Sequence, residues 1–318
     1  MPTVLITDHV FPSIDLQKKV IESAGFTLQE IKPICKTEDD VIQKCGRADV
    51  LLVQWAPITR RVLEALPNAR GVVRYGIGVD NIDLKAAKDL GRAVSNVPNY
   101  CQEEVSDHAI SMILSLARRI PHDNDQIKHG GWGIGPFLPI PAFSDLTLGL
   151  VGFGSIARKV SEKAKPFRFR QIAFDPVAPA EVFSRNGVER VDRDTLLRTA
   201  DIISLHCPLL PETRHMINAD SIATMKPGVL LVNTARGPLI SEADLVSALM
   251  AKKIVGAGLD VYEKEPLAAD SPLRSLPNVI LTSHAASVST RAVELLQIQA
   301  AEAARDILLG KRPAGALV

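Results

Sequence analysis

Midway along the chain, Gly149-Leu150-Val151-Gly152-Phe153-Gly154-Ser155-Ile156-Ala157 joins an apolar run to a helix-like one, and a second apolar run, Ile172-Ala173-Phe174, closes on Asp175. Thr147 to Val151 reads as a buried strand and Ser155 to Lys165 as the start of a helix, which puts Gly152 and Gly154 at the turn between them. Backbone N–H groups and the positive end of a helix dipole meet at such a turn and suit a pyrophosphate. A carboxylate ending the next strand suits a ribose diol. Gly-x-Gly alone marks many ordinary tight turns. Strand, helix and acid in register make this one a dinucleotide site built on Gly152, Gly154 and Asp175. Ala157 stands at the fingerprint's third glycine, a replacement the fingerprint permits.

Strand signals recur on both sides of this turn. Val4 to Asp8, Asp49 to Gln54, Gly71 to Tyr75 and Arg92 to Ser95 alternate with helical patterns such as Leu16 to Ala24 and Ile58 to Leu66. A second series starts at Thr147 and continues through Ile172 to Asp175, Asp201 to His206, Val229 to Asn233, Gly256 to Val261 and Val279 to Ser283. This alternation predicts an α/β fold with two doubly wound parallel sheets. Val105, Ala109, Met112, Leu116 and Ile120 recur at helical spacing, with Pro121 expected to stop that helix. A second long helix is expected from Ser289 to Leu309. The expected division makes residues 1–98 and 286–318 one domain, to which the last helix returns, with a nucleotide-binding domain, 99–285, inserted in it. Gly130-Gly131-Trp132-Gly133-Ile134-Gly135-Pro136 reads as a flexible or capping loop, in which Trp132 packs locally or meets a neighbouring subunit.

With 318 residues and 46% hydrophobic content, the chain is long enough to bury two cores. Its 37 basic and 36 acidic residues are evenly spread, which argues against nucleic acid or a charged membrane surface as partner and for a small molecule. The longest apolar stretch, around Ala109 to Ala117, is broken by Ser111 and Ser115 and is too short to span a bilayer. Cys35, Cys45, Cys101 and Cys207 form no Cys-x-x-Cys pair, and the chain opens on the strand-like Thr3 to Thr7. The expectation is a cytoplasmic protein with reduced thiols. His9, His108, His122, His129 and His215 show no metal-ligand spacing and read as structural or exposed, so no metal is expected.

Arg236, Glu265 and His284 each follow a different strand of the second series. Ligands collect at the carboxyl ends of strands in an open parallel sheet, so the three are expected in one crevice. Singly, each is more often a solvated loop residue or a cap. Together they suit hydride transfer to a carbonyl. Arg236 offers a bidentate fork to a 2-oxo acid's carboxylate, His284 a proton for the developing alkoxide, and Glu265 a negative charge that stabilises protonated imidazole. His206 reads as a hydrogen-bonded strand end.

The chain resembles the NAD-dependent D-isomer-specific 2-hydroxyacid dehydrogenases from about Val72 to Arg312. The resemblance rests on Tyr75-Gly76-Ile77-Gly78-Val79-Asp80-Asn81-Ile82-Asp83, the glycine turn with Asp175, Ala200-Asp201-Ile202-Ile203-Ser204-Leu205-His206-Cys207-Pro208, Asn233-Thr234-Ala235-Arg236-Gly237, Leu259-Asp260-Val261-Tyr262-Glu263-Lys264-Glu265-Pro266 and Ser283-His284-Ala285-Ala286. It implies a Rossmann domain inserted in a flavodoxin-like substrate domain, NAD as cofactor, and a homodimer formed through the nucleotide domains. It also implies Arg236, Glu265 and His284 as the catalytic trio, and the Gly76, Ile77 and Gly78 backbone as holder of the substrate carboxylate. Val105, Ser155, Ile156, Asp175, Cys207, Pro208, Thr234, Asp260 and Ala286 are implied as cofactor contacts, with Asp260 facing the nicotinamide.

Among branches of the family, formate dehydrogenases carry Gln where this chain has Glu265. Phosphoglycerate dehydrogenases usually place Arg in the segment that here reads Gln54-Trp55-Ala56. The corepressor-like C-terminal binding proteins carry Trp where Ser287 stands. The expected activity is oxidation of a small unphosphorylated 2-hydroxy acid or reduction of the 2-oxo acid; the alternative is an NAD-gated protein-binding regulator with residual turnover. NAD is expected over NADP, because Asp175 would repel a 2′-phosphate and neither Arg185 nor Arg190 directly follows it.

Overall fold

Short apolar runs buried along most of their length become parallel strands, as in sheets covered on both faces. The computed structural model describes residues 1–134 and 139–318; Gly135 and Pro136, at the end of the expected glycine-rich loop, lie outside the described residues. The strands are β1 (Thr3–Ile6), β2 (Thr27–Glu30), β3 (Val50–Val53), β4 (Gly71–Arg74), β5 (Ala93–Ser95), β6 (Thr147–Val151), β7 (Arg170–Phe174), β8 (Glu189–Arg190), β9 (Ile202–Leu205), β10 (Val229–Asn233), β11 (Ile254–Leu259) and β12 (Val279–Leu281). They form a five-stranded sheet, β2-β1-β3-β4-β5, and a seven-stranded sheet, β12-β11-β10-β9-β6-β7-β8. Every pairing of named strands is parallel. The chain divides into Met1–Cys101 with Val288–Val318, and Gln102–Ser287.

The first unit has the flavodoxin-like order, with β1 and β3 side by side at the point where the winding reverses. Helix Thr290–Leu308 belongs to this unit and packs on helix Asp15–Ser23, β3 and β4. It buries Leu296, Ala300, Ala303, Ala304 and Ile307, and the Ser289 hydroxyl caps it by accepting Ala292 N–H at 3.0 Å.

The second unit is wound outward from β6 in both directions, the Rossmann order with one further parallel strand, β12. Helix Gln102–Ala117 packs on helix Ser155–Ala164, β10 and β11. Pro121 does not stop a helix, contrary to the sequence reading. The break comes at Arg119, in the left-handed region at φ 54°, and Pro121 falls in the first turn of a new helix, Ile120–Lys128. A first-turn N–H has no partner within its helix, so proline is tolerated there. None of that helix's residues is buried.

Candidate active site

The glycine turn lies where expected, between β6 and helix Ser155–Ala164. Gly152 has φ +87°, and a Cβ there would sit 2.8 Å from the Cys207 backbone nitrogen, so the turn requires glycine. A Cβ on Gly154 would meet nothing within 4 Å; its outer face is open to a phosphate's approach. Asp175 directly follows β7 and locks the turn: Oδ2 accepts Phe153 N–H at 2.8 Å, and Oδ1 accepts Val177 and Ala178 N–H at 2.9 and 3.0 Å. Burial alone would raise the Asp175 pKa, but those three bonds and the charge of Arg190 hold it below the ordinary carboxylate value.

Asp175, Pro176, Arg190, Asp192 and Thr195 line an open cavity of about 540 Å³. Arg190, which does not directly follow Asp175 in sequence, thus lines the same cavity. Its Nη2 donates to the Asp175 carbonyl at 3.4 Å and its guanidinium lies 5.3 Å from the Phe183 ring centre.

Strands β10, β11 and β12 are neighbours, so Arg236, Glu265 and His284 emerge from three adjacent strand ends. The Asn233 side chain shapes the first turn, accepting Ala235 N–H at 3.0 Å and donating to the Arg236 carbonyl at 2.9 Å. A Cβ on Gly237 would sit 1.8 Å from the Tyr262 carbonyl oxygen; its absence lets the loops after β10 and β11 pack together. Glu265 Oε1 accepts Tyr262 N–H at 3.1 Å and Oε2 accepts His284 Nδ1–H at 2.7 Å. Burial would raise the Glu265 pKa; the His284 bond and charge, the Tyr262 N–H and the charge of Arg236 outweigh it and lower the pKa. With Nδ1 on Glu265, the ring exchanges its other proton at Nε2. The two side chains are 39% and 35% exposed, open enough to meet a substrate.

His284 has φ 54°, and its N–H donates to the Asp260 carbonyl at 2.8 Å. Asp260 also has a structural role. It is 1% exposed, and its carboxylate accepts Ala285 N–H at 2.8 Å, Ala286 N–H at 2.9 Å and the Thr282 hydroxyl at 2.5 Å. It therefore clamps the turn that carries His284. Tyr262 donates its hydroxyl to the Thr282 carbonyl at 2.7 Å, joining the same two loops. From the other side, His215 pairs with Glu263, whose carboxylate also accepts Glu242 N–H at 3.1 Å.

His206 ends β9 as expected of a structural residue: it bonds the Ser204 hydroxyl at 2.9 Å, and burial pushes its pKa down to about 4, keeping it neutral. Burial pushes the Cys207 thiol up to about 11. Thr234 is buried and its hydroxyl has no partner among the described residues. Val105 and Ala286 are buried, while Ser155 and Pro208 are exposed. The Gly154 face, the Asp175 cavity and the unpartnered Thr234 hydroxyl all fit a bound dinucleotide.

In the first unit Gly76 has φ +135°, and a Cβ there would overlap the Arg74 guanidinium. Its N–H turns back to the Arg74 carbonyl at 3.0 Å, so Gly76 shapes the loop that carries Ile77 and Gly78. Asn96 steadies the loop by donating to the Ile77 carbonyl at 2.6 Å. Among the described residues no group of His, Cys, Asp or Glu is arranged to hold a metal ion, and no helix is long and apolar enough to cross a membrane.

A glycine turn, an acid just past the next strand and this strand order define a nucleotide-binding α/β protein of the Rossmann type. Residues 110–286 match the family model described as D-isomer specific 2-hydroxyacid dehydrogenase, NAD binding domain, and the chain belongs to that family. It is 37% identical over 314 residues to D-3-phosphoglycerate dehydrogenase of Methanocaldococcus jannaschii, covering 98% of this chain and 58% of that protein. It is 33% identical over 289 residues to hydroxypyruvate reductase of Blautia hydrogenotrophica, covering 89% of each. The chain thus spans little more than half the length of the phosphoglycerate dehydrogenases it matches. The structure of D-lactate dehydrogenase from Aquifex aeolicus, complexed with NAD and lactic acid, superposes with a TM-score of 0.84 at 27% identity, covering 97% of this chain and 96% of that one.

Proposed function

We propose that the chain is an NAD-dependent D-2-hydroxyacid dehydrogenase, or 2-oxoacid reductase, acting on a small unphosphorylated substrate. The observation that carries the reading is the His284–Glu265 pair at 2.7 Å, with Arg236 close enough to lower the Glu265 pKa. NAD(H), when bound, supplies or accepts the hydride. Gly152, Gly154, Ser155 and Ile156 hold its pyrophosphate, Asp175 its ribose, and Val105, Cys207, Pro208, Thr234 and Ala286 line its path. Arg236 grips the substrate carboxylate with two parallel N–H donors. His284 Nε2 gives its proton to the carbonyl oxygen during reduction and takes it back during oxidation, while Glu265 offsets the imidazolium charge. Lack of side-chain cations in Gln54-Trp55-Ala56 favours an unphosphorylated substrate. A steady-state screen of 2-oxo acids with NADH tests the reading; no turnover above background with any of them removes it, and leaves an NAD-binding regulator.

The same reading includes a homodimer through the nucleotide-binding unit and a cytoplasmic location, the latter supported by four cysteines that form no disulfide among the described residues. The dimer is supported by the exposed apolar side chains Ile120, Ile127, Trp132 and Ile134 on one unburied helix and the loop after it. Sedimentation of Ile127→Glu and Trp132→Ala against the unsubstituted protein tests it, with a shift to monomer expected.

A further inference from the structure

We infer that His108 is a positioning residue for His284, acting through Thr282 and Asp260; the inference rests on the reading of His284 as the acid and base. His108 lies on helix Gln102–Ala117, one turn after Val105, and the sequence had marked it only as structural or exposed. Its Nε2 is 3.0 Å from the Thr282 hydroxyl oxygen and 3.8 Å from Asp260 Oδ1. The Thr282 hydroxyl has a single proton, and at 2.5 Å it goes to the Asp260 carboxylate. Thr282 therefore presents a lone pair to His108, which answers with Nε2–H. The chain of donors runs from His108 to Thr282 to Asp260, and Asp260 holds the N–H groups of Ala285 and Ala286 with its carboxylate and that of His284 with its carbonyl.

The backbone of His284 explains why such a chain is needed. A non-glycine residue at φ 54° is in the disfavoured left-handed region and persists only where its surroundings over-determine it. Three consecutive N–H groups, from His284 to Ala286, are fixed by one aspartate. The orientation of that aspartate is set by a threonine rotor, and the rotor by a histidine on a packed helix. Without His108 the hydroxyl gains a second orientation, the hold on Ala285 and Ala286 loosens, and His284 spends less time in the geometry that aligns Nε2.

The test uses His108→Phe, which keeps an aromatic ring without the donor, and His108→Gln, which keeps a donor. Two readouts are followed: steady-state reduction of a 2-oxo acid, and hydrogen exchange at the Ala285 and Ala286 amides in protein without substrate. His108→Phe is expected to lower kcat roughly tenfold with the NADH dissociation constant unchanged, and to speed exchange at both amides roughly tenfold, the scale of one buried hydrogen bond. His108→Gln restores most of both. Thr282→Val cuts the same chain elsewhere and reproduces the phenotype, and the double variant is no worse than the poorer single one. Unchanged exchange at Ala285 and Ala286 in both His108→Phe and Thr282→Val overturns the inference. So does a His108→Gln protein as impaired as His108→Phe, or a loss confined to NADH affinity. Absence of 2-oxo acid turnover in the unsubstituted protein counts against the dehydrogenase reading alone, because amide exchange decides the clamp without turnover.

Discussion

Each of the two units buries an aspartate just beyond a strand end and uses it to pin a loop. Asp8, past β1 and 2% exposed, accepts Gln54 N–H at 3.1 Å, Trp55 N–H at 2.6 Å and Ala56 N–H at 3.3 Å, with the Thr7 hydroxyl at 2.6 Å. Asp260, past β11, does the same for Ala285 and Ala286, with the Thr282 hydroxyl as its side-chain donor. The device is common to both units, a carboxylate oriented by threonine that satisfies consecutive backbone donors. The difference lies in what the pinned loop presents. Asp8 holds out Trp55, half exposed, and Gln54. Asp260 holds out His284, with a carboxylate of its own already in place at Glu265.

Removing each aspartate tests whether the devices are equal in stability and unequal in chemistry. Asp8→Ala and Asp260→Ala each orphan at least two backbone donors, one of them fully buried, at about 1–3 kcal/mol apiece, so each is expected to lose about 2 to 4 kcal/mol of stability in denaturant unfolding. At a temperature where both variants remain folded, only Asp260→Ala is expected to lose kcat by two orders of magnitude or more. Comparable kcat in the two variants would break the comparison.

Arg236→Ala comes next, at about 3 kcal/mol in kcat/KM for a 2-oxo acid, as expected when a charged group loses a bidentate partner. NADH affinity, followed by fluorescence titration, is expected to change little. A collapse of NADH binding with substrate kinetics intact would move Arg236 from the substrate to the cofactor.

Glu265→Gln sharpens the contrast through pH. Glu265 Oε2 accepts His284 Nδ1–H at 2.7 Å, where a carboxylate offsets the positive charge of a ring that carries both protons. Reduction takes a proton from the ring, so Glu265→Gln is expected to lower reductive kcat/KM at neutral pH, with activity recovering as pH falls. Oxidation needs the neutral ring, so the variant retains relatively more oxidation at neutral pH. For Glu265 itself, a folded pKa below the unfolded one adds stability above the unfolded pKa, lost as pH falls through the folded value. An unmoved pH–rate profile removes Glu265 from the proton transfer.

The chemistry of the second unit was legible because it sits at the ends of apolar runs. β10 buries four of its five residues and β11 five of its six, β12 is a run of three half-buried aliphatic residues, and Arg236, Glu265 and His284 come a few residues after these runs end. Asp175 was legible for the same reason. The clamps were not: Asp8 reaches residues 54–56 and His108 reaches Thr282, contacts between distant segments that no local period encodes. Edge strands β2 and β8 escaped because one face or both is solvated and Thr27–Glu30 and Glu189–Arg190 carry few apolar residues. Pro121 misled because proline reads alike as the end of one helix and the first turn of the next.

The smallest effect concerns the cofactor's ribose and sets Asp175 apart from both clamps, because it pins a turn and still faces an open cavity. Its three backbone bonds leave the carboxylate ionised, with capacity to accept a ribose hydroxyl. A 2′-phosphate about 4 Å away would meet a repulsion near 4 kcal/mol per pair of unit charges at an effective dielectric of 20, before salt screening. Arg190 lies on the same cavity with the opposite charge, and Asp192 adds a second negative one. NADH is therefore expected to be preferred over NADPH, and Asp175→Ala to narrow that preference, chiefly through weaker NADH binding. Arg190 is exposed and its contribution is small, under about 1 kcal/mol. Arg190→Gln is expected to lower kcat/KM with NADPH a few-fold, leaving NADH nearly unaffected, so that the preference widens. Titration with adenosine 2′-phosphate and adenosine 5′-phosphate reads the same difference without turnover. Equal kinetics with the two cofactors in the unsubstituted protein would show that the Asp175 carboxylate does not face the ribose, and that its bonds to the glycine turn are its whole function.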